Sequence, residues 1–442
     1  MIKTKKKVME FLKKYGMGFE NIDLKQNSKI FTEEMENGLC GRNSSLRMIP
    51  TYISMEKEIP IGEPVIAVDA GGTNFRVALV HFDRNRKPVV EGFELFPMPG
   101  SKGAILKEEF FETVVQYMGP VLGKSKKIGF SFSYPTEILP NRDGRLIQFC
   151  KEVQVQGVEG EIIGQNLLRT MKAMGYENDK KIIMLNDTVA TLLAGKASNP
   201  DRVFEGYIGF ILGTGTNTCY IEETRNIGKV REINALKGSM LINVESGDYR
   251  KAPRGVIDSE FDSGTINPGQ YTFEKMISGG YQGGLMLSVI RKAVNDNLFS
   301  GSFAEKAVLI DELTSKEIDD FLYYPYSENN ILARCCNAEK SIKRSNDHMT
   351  LYYLMDALAE RAGKLVAFNL SAIILKTGKG KNPCAPICVT VDGAAFYKSK
   401  LFRGKLDYYI KTYLNEKNQT YCEFVKAENA TLIGTAIAGL IN

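Results

Sequence analysis

Histidine is nearly absent from this chain: 442 residues contain two, His81 and His348. His81 lies in the turn-like stretch HFDRNRK and His348 in the polar RSNDHMT. Histidine-based catalysis and most zinc chemistry are therefore not expected. The eight cysteines, Cys40, Cys150, Cys219, Cys335, Cys336, Cys384, Cys388 and Cys422, are scattered without metal-ligand spacing. Cys384 and Cys388 sit four apart, but no second pair or histidine accompanies them. They read as reduced thiols of a cytoplasmic protein. No stretch reaches the roughly 18 apolar residues that a membrane span needs. The lysine-rich start, MIKTKKKVMEFLKKYG, lacks the apolar core of a secretory signal, and Glu10 and Glu20 argue against a mitochondrial presequence. It is expected to be the solvated face of a short helix. The net charge of +5 is spread out, so no nucleic-acid partner is expected.

What the chain does have is a soluble protein's composition, 43% hydrophobic and 25% charged, and one internal repeat. An apolar strand runs into a glycine-rich turn and out into another strand, first as IAVDAGGTNFRVALV from Ile66 and again as IGFILGTGTNTCYIEE from Ile208. Glycine permits positive φ and lets backbone N–H groups approach an anion. Two such turns predict one jaw per domain around a polyphosphate, and hence a nucleotide-dependent phosphotransferase.

Along the chain, residues 5–60 read as a helix, a polar linker and a second helix, FTEEMENGL at 31–39, with acidic residues in its first turn. Strands are expected at 65–69, 75–81 and 89–96, a helix at 108–119, the strand IGFSFSYP, a helix at 161–174, the strand KIIMLND and a helix at 188–197. A second strand group begins near 207 and is expected to continue through VREINALKG and SMLINVESG. From 271 the chain reads as largely helical, followed by the strand ICVTVDG, a helix at 400–414, a strand at 420–426 and a closing helix. Strands alternating with helices in two groups predict a two-domain α/β protein.

Several segments carry candidate chemistry. Gly119-PVL-Gly123-Lys124-Ser125 resembles a P-loop but has one residue too few and precedes a strand, so it is set aside. In Asp69-AGGTNFR, Gly71 and Gly72 allow close approach of a phosphate, Thr73 and Asn74 add donors, Asp69 can hold a hydrated Mg²⁺ and Arg76 adds positive charge; a plain hairpin turn is the alternative. Gly213, Thr214 and Gly215 open the second turn. Asp187, in LNDT, follows an apolar strand, where open α/β sheets place ligands; a plain helix N-cap is the alternative. Ser133, Lys151, Asn217, Glu245 and Glu274 stand at strand ends or beside the glycine turns and read as a cluster for a polyhydroxyl ligand.

Taken in order, SSLRMIPTYI, VIAVDAGGTNFRVALV, GFSFSYP, GVEG, LNDTVATLLAG, ILGTGTNTCYIEE, INVESG, NPGQYTFEKMISGGY and VDGAAFYK make the chain resemble the hexokinase family in its eukaryotic-type form. The resemblance implies the actin-like ATPase (ribonuclease H-like) duplicated fold, α/β, with two domains separated by a deep cleft. The expected small domain is 61–197 joined by the closing helix 431–442, and the large domain 1–60 with 198–430. It implies ATP-dependent phosphorylation of the 6-hydroxyl of a hexose, glucose foremost, with Mg²⁺. Asp187 is then the general base and Lys151 the lysine beside sugar and transferred phosphoryl group. Ser133, Cys150, Asn186, Asn217, Glu245 and Glu274 match sugar-binding positions. Asp69, Thr73, Asn74 and Thr214 match phosphate- and Mg-handling positions, Asp69 and Asp187 meeting the metal through water. Gly393 and Ala394 match the adenosine-side turn, and Thr431 falls near its partner. A monomer or homodimer is expected.

The chain departs from that pattern in places. The family's Thr-Lys-Gly is Cys150-Lys151-Glu152, exchanging a hydroxyl for a thiol that hydrogen-bonds weakly. Its usual Trp after the glutamate of INxEWG is Ser246, and the chain has no tryptophan. The Glu of YxGEL is Gly284, and the adenosine-side glycine run near the C-terminus is ENATLIGTA. A catalytically weak sugar sensor is the alternative function, and a sugar-independent actin-like ATPase a third.

Overall fold

A computed structural model of the chain describes residues 2–72, 74–149, 153–177, 179–235, 237–336 and 346–442. Its two main sheets repeat one topology. In the first, β1 (Val65–Ala70), β2 (Asn74–Phe82) and β3 (Pro88–Pro97) form an antiparallel meander. On the other side of β1, β4 (Lys127–Phe132) and β5 (Lys181–Leu185) add in parallel, giving the order β5-β4-β1-β2-β3. In the second, β6 (Gly206–Leu212), β7 (Thr216–Glu223) and β8 (Ser239–Asn243) form the meander, and β9 (Ile387–Asp392) and β10 (Cys422–Lys426) run parallel to β6. The order β8-β7-β6-β9-β10 mirrors the first sheet, with Ile49–Pro50 added antiparallel to β8. The repeat seen in sequence as two glycine turns thus extends to whole sheets. Central strands such as β1, VIAVDA, are apolar on both faces and fully buried, as parallel strands covered on both sides require.

Helices α1 (Ile2–Lys14), α2 (Leu24–Leu39), α3 (Lys107–Leu122), α4 (Ile163–Ala173), α5 (Asp187–Ser198), α6 (Val256–Ser263), α7 (Gly279–Asn295), α8 (Asn346–Thr377) and α9 (Ala430–Ile441) cover the sheets. On the outer face of the first sheet, Phe110, Val114 and Met118 of α3 and Leu167 of α4 meet Ile66, Val68 and Phe130. On the second, Phe31 and Met35 of α2 and Phe368 of α8 meet Ile208 and Phe210. Between the sheets lie α9, packed on β1 and β4, and α5, packed on β6 and on α9. Val65, Leu185, Val189, Leu241 and Ile437 share that interior cluster.

Glycine makes this layering possible. A Cβ at Gly434 of α9 would fall 1.7 Å from the Ala190 carbonyl oxygen of α5, and one at Gly209 of β6 would fall 2.3 Å from that of Thr188. Side chains at either position would force the layers apart. The close approach wedges the N-terminus of α5, and with it Asn186 and Asp187, between the two sheets.

Three local expectations are corrected. The helix expected at 31–39 begins at Leu24, because Asp23 caps it by accepting from the Gln26 N–H at 2.7 Å; its glutamates therefore fall in later turns. VREINALKG is not strand: Arg231–Asn234 is a helical turn. The cause is register, since Glu223 pairs with Ser239 and leaves the residues between as the connection. The helix after Phe402 ends at Ile410 and continues as a π-helical segment, Lys411–Lys417. The P-loop look-alike occupies the last turn of α3, with Gly123 as its C-cap.

Candidate active site

The first sheet contributes residues just beyond the C-terminal ends of its parallel strands. Asp69 lies in β1, 3% exposed, opposite Arg76 of β2 across the hairpin. Arg76 donates to it at 2.6 Å, so this guanidinium offsets Asp69 rather than standing free. Burial nevertheless pushes the Asp69 carboxyl up to about 6, against the pull of Arg76 and with the help of Asp187 and Asp392. Gly71 and Gly72 form the turn that follows, and the Tyr134 hydroxyl, beyond β4, donates to the Gly71 carbonyl at 2.8 Å. Asn74 opens β2 and is exposed.

Asn186 and Asp187 follow β5. Asn186 caps α5 by accepting from the Thr188 N–H at 2.9 Å. Asp187 accepts from the same N–H at 2.7 Å and from Ser133, which follows β4. Asn186 and Asp187 thus share the capping of α5, the bonds from Thr188 both falling on Asp187 Oδ1, and Asp187 is half-buried. Desolvation raises its proton affinity, and the hydrogen bonds from Ser133 and Thr188 only partly counter this.

The second sheet faces it with a chain of amides. The Asn217 amide, on β7, donates to Asn243 at 2.8 Å and reaches Asn186 at 3.5 Å. Asn243, ending β8, donates in turn to Glu245 at 2.7 Å. Glu245 is left-handed, with φ 58°, and desolvation raises its proton affinity. Glu274 accepts from the Thr216 N–H at 2.9 Å, and burial pushes it up to about 7, aided by Glu245 and Asp248. Gly215 admits this carboxylate: a Cβ there would lie 2.6 Å from Glu274 Oε2.

Gly213 and Thr214 are held from behind, their carbonyls accepting from the Gly279 and Gly280 N–H groups at 2.7 and 3.0 Å. Gly393 packs on that turn with φ 119°, and a Cβ on it would fall 2.2 Å from the Leu212 carbonyl oxygen. Ala394 starts the short helix Ala394–Lys398. Beside these turns a largely apolar groove, open to solvent, is lined by Gly279, Ser315, Asp319, Ala395, Leu401 and Phe402, among others. A smaller one opens among Thr51, Tyr134, Asn186, Asn243 and Glu245.

The structure therefore brings Ser133, Asn186, Asp187, Asn217, Glu245 and Glu274 around one space and sets Asp69 within electrostatic reach of Asp187. Thr431 stands in the first turn of α9, its carbonyl accepting from Thr435, and among the described residues it makes no hydrogen bond to the cluster. Thr73, Cys150 and Lys151 lie outside the described residues. Among the departures, the Ser246 hydroxyl is buried against that of Thr218 at 2.7 Å, and Gly284 leaves room for the Phe261 ring, 2.8 Å from where its Cβ would be.

Sequence reasoning passed over Asn243, the link between Asn217 and Glu245, although it stands inside INVESG. It also passed over Asp392, whose carboxylate ends β9 and accepts from the Gly393 N–H at 2.7 Å. The signal was present in VDG, a carboxylate at a strand's end before a glycine turn, like Asp69 in VDAGG. Among the described residues no cluster of three or more His, Cys, Asp or Glu could hold a metal directly, and no helix is long and apolar enough to cross a membrane.

Comparison with known proteins gives one consistent family. Hexokinase family models match residues 8–197 and 207–441. Hexokinase-2 of Homo sapiens is 28% identical over 424 residues, covering 90% of this chain and 44% of that protein. Hexokinase-1 of Mus musculus is 29% identical over 415 residues, covering 89% and 41%. The chain thus spans less than half the length of these relatives. A hexokinase from Schistosoma mansoni, solved with glucose, superposes with TM-score 0.77 at 22% identity, covering 99% of both chains. A second hexokinase structure gives 0.75 at 21% identity, covering 99% and 98%. The fold is therefore the duplicated, actin-like one.

Proposed function

Because this chain belongs to the hexokinase family, whose models match both of its halves, we propose that it transfers the γ-phosphoryl group of MgATP to the 6-hydroxyl of a hexose, glucose foremost. The observation that carries this reading is the setting of Asp187. It is a half-buried carboxylate of raised proton affinity that shares the capping of α5 with Asn186, next to the amide chain Asn186–Asn217–Asn243–Glu245 and close enough to Glu245 to raise that residue's proton affinity.

Phosphoryl transfer to an alcohol rests on positioning and charge neutralisation. Glu245 and Glu274 accept from sugar hydroxyls, and Asn186 and Asn217 both accept and donate. An epimer with a misplaced hydroxyl leaves a buried group unpaired, which is how such a site selects stereochemistry. Asp187 takes the proton of the primary hydroxyl, and Ser133 and Thr188 hold its carboxylate in place. Lys151, outside the described residues, is assigned the charge beside the transferred group on the strength of its motif.

The nucleotide is assigned to the glycine turns, with Gly71, Gly72, Thr73 and Asn74 on one side and Gly213, Thr214 and Gly215 on the other. The adenosine is assigned beside Gly393 and Ala394, its base toward the apolar groove lined by Ala395 and Phe402; Thr431 is the partner on α9. Magnesium enters with the nucleotide as substrate and neutralises phosphate charge. Asp187 and Asp392 raise the proton affinity of Asp69, and Asp392 raises that of Asp187. With no direct three-ligand cage among the described residues, they suit a cation that keeps its water and binds mainly to phosphates.

The first sheet with α9, residues 61–197 and 431–442, forms the smaller lobe in this reading, and 1–60 with 198–430 the larger. Sugar closes one on the other and excludes water. A cytoplasmic setting accords with the seven free cysteines among the described residues. The test is a coupled ADP-release assay with glucose, mannose, fructose, galactose and N-acetylglucosamine against ATP, GTP and pyrophosphate. Hexose-dependent ADP release supports the reading. Sugar binding without turnover turns it into a sensor, and sugar-independent hydrolysis contradicts it.

A further inference from the structure

Between the two glutamates assigned to the sugar lies a third acid. Asp248 is 6% exposed and follows Glu245 in a tight turn, its N–H donating to the Glu245 carbonyl at 3.1 Å. Its Oδ1 accepts from the backbone N–H of Tyr271 at 3.1 Å. Tyr271 belongs to the loop that enters Glu274, and both Glu245 and Tyr271 are non-glycine residues in the left-handed region, with φ 58° and 51°. Such conformations are unfavourable for residues that carry a Cβ and persist only where their surroundings hold them. Asp248 therefore joins two strained backbones, its amide to Glu245 and its carboxylate to Tyr271 in the loop that leads to Glu274. One residue on, Thr272 Oγ1 donates to the Tyr249 carbonyl at 3.0 Å, a second stitch between the same segments. Gly247, inside the turn, leaves no slack: a Cβ there would lie 2.9 Å from the Thr216 carbonyl oxygen and 3.2 Å from Glu274 Oε2.

On its outer side Asp248 meets two guanidiniums, Arg250 at 3.5 Å and Arg47 at 4.0 Å. Both are more than a third exposed, so they offset its charge only weakly. On its inner side it adds to the repulsion that makes Glu245 and Glu274 hold protons more tightly.

We propose that Asp248 is a positioning residue that locks the Glu245 turn to the Glu274 loop and so sets the shape and charge of the hexose site. The inference rests on the hexose-kinase reading above. The groups that bear on Glu274 are Glu245, Asp248, Lys275 and the Thr216 amide, and those on Glu245 are Asn243, Arg47, Asp187 and Asp248. Of these, Asp248 alone bears on both glutamates and also holds the loop backbone.

The test uses two variants and glucose binding by calorimetry, which needs no turnover, alongside steady-state kinetics. Asp248→Ala removes the acceptor and should weaken glucose binding about tenfold, with kcat changed by less than about threefold. Asp248→Asn keeps an acceptor oxygen for the Tyr271 N–H and should restore affinity at pH 8 to within about twofold of wild type. Because it removes a negative charge beside Glu274, it should also move the acidic limb of the affinity profile to lower pH. An Asp248→Ala protein that binds glucose like wild type, or an Asp248→Asn protein as weak as Asp248→Ala, overturns the proposal. If Asp248→Ala does not fold, the acidic limb of Asp248→Asn decides, and an unmoved limb refutes the inference. A wild-type chain that binds and phosphorylates glucose keeps the kinase reading in either case. One that binds no hexose at all refutes that reading and this inference with it.

Discussion

Replacing Asp187 separates chemistry from architecture more cleanly than any other change. Asp187→Asn keeps an oxygen that can accept from the Thr188 N–H, now met at 2.7 Å, and leaves Asn186 as the cap of α5, its Oδ1 2.9 Å from the same N–H. Helix stability should change by less than about 1 kcal/mol, because both residues that share the capping keep an acceptor oxygen. What disappears is the ability to take a proton. General-base assistance contributes about 10²–10⁴-fold to rate, or roughly 2.7–5.4 kcal/mol of barrier at about 1.36 kcal/mol per decade. Coupled ADP release with saturating glucose and MgATP should show kcat down by that range. Calorimetric glucose affinity should stay within about threefold and the melting temperature within about 2 °C. A variant that retains more than about a tenth of wild-type kcat refutes the assignment of Asp187 as the base. One that loses glucose binding along with kcat shows that the carboxylate serves recognition instead.

Glu274, pushed up to about 7 by burial, is ionised above that pH and protonated below it. An acceptor for sugar hydroxyls is therefore lost as pH falls, and glucose affinity measured from pH 5.5 to 8.5 should decline on the acid side of about 7; a flat profile contradicts the role. Gly434→Ala would place a Cβ 1.7 Å from the Ala190 carbonyl oxygen, and overpacking of this kind costs about 1–3 kcal/mol or more. Denaturant unfolding should show that loss, and an unchanged midpoint would mean that α5 and α9 are not so tightly apposed. Lys275 is 2% exposed and donates to Asp262 at 2.5 Å, Thr265 at 2.8 Å and the Asn267 carbonyl at 2.8 Å. Lys275→Met leaves Asp262 with Arg254 at 3.5 Å and the Gly269 N–H at 3.0 Å and should lower unfolding free energy by about 1–3 kcal/mol; a loss below about 0.5 kcal/mol would show the pair to be solvated.

Strands alternating with helices around two glycine turns made a two-domain α/β protein legible in the sequence, because buried central strands leave near-continuous apolar runs and phosphate-type turns leave glycines; the duplicated actin-like fold was implied by the resemblance to the hexokinase family. Asp69, Ser133, Asp187 and Asn217 were visible for a related reason: polar residues at the ends of such runs have little structural cause to be there. Other features lie beyond local pattern. VREINALKG alternates well enough to pass for a strand, and only the pairing of Glu223 with Ser239 reveals it as a connection. The start of α2 depends on Asp23, a single cap in a polar stretch. Asn243 and Asp392 matter through partners far away in sequence, and Asp248 through a bond to Tyr271 across a loop. The glycines at 209 and 434 look like ordinary breaks in a strand and a helix until the layers that need them are seen together.

The central claim is that one carboxylate at the N-terminus of α5 meets the sugar's primary hydroxyl opposite the donor phosphate. A crystal structure of the chain with glucose and a non-hydrolysable MgATP analogue measures this directly. The account predicts an Asp187 carboxylate oxygen about 2.6–3.2 Å from the glucose 6-hydroxyl, with Glu245 and Glu274 on other hydroxyls and the terminal phosphate on the far side of that oxygen. A complex in which Asp187 turns away from the sugar, or in which glucose binds apart from Asn217, Glu245 and Glu274, contradicts it.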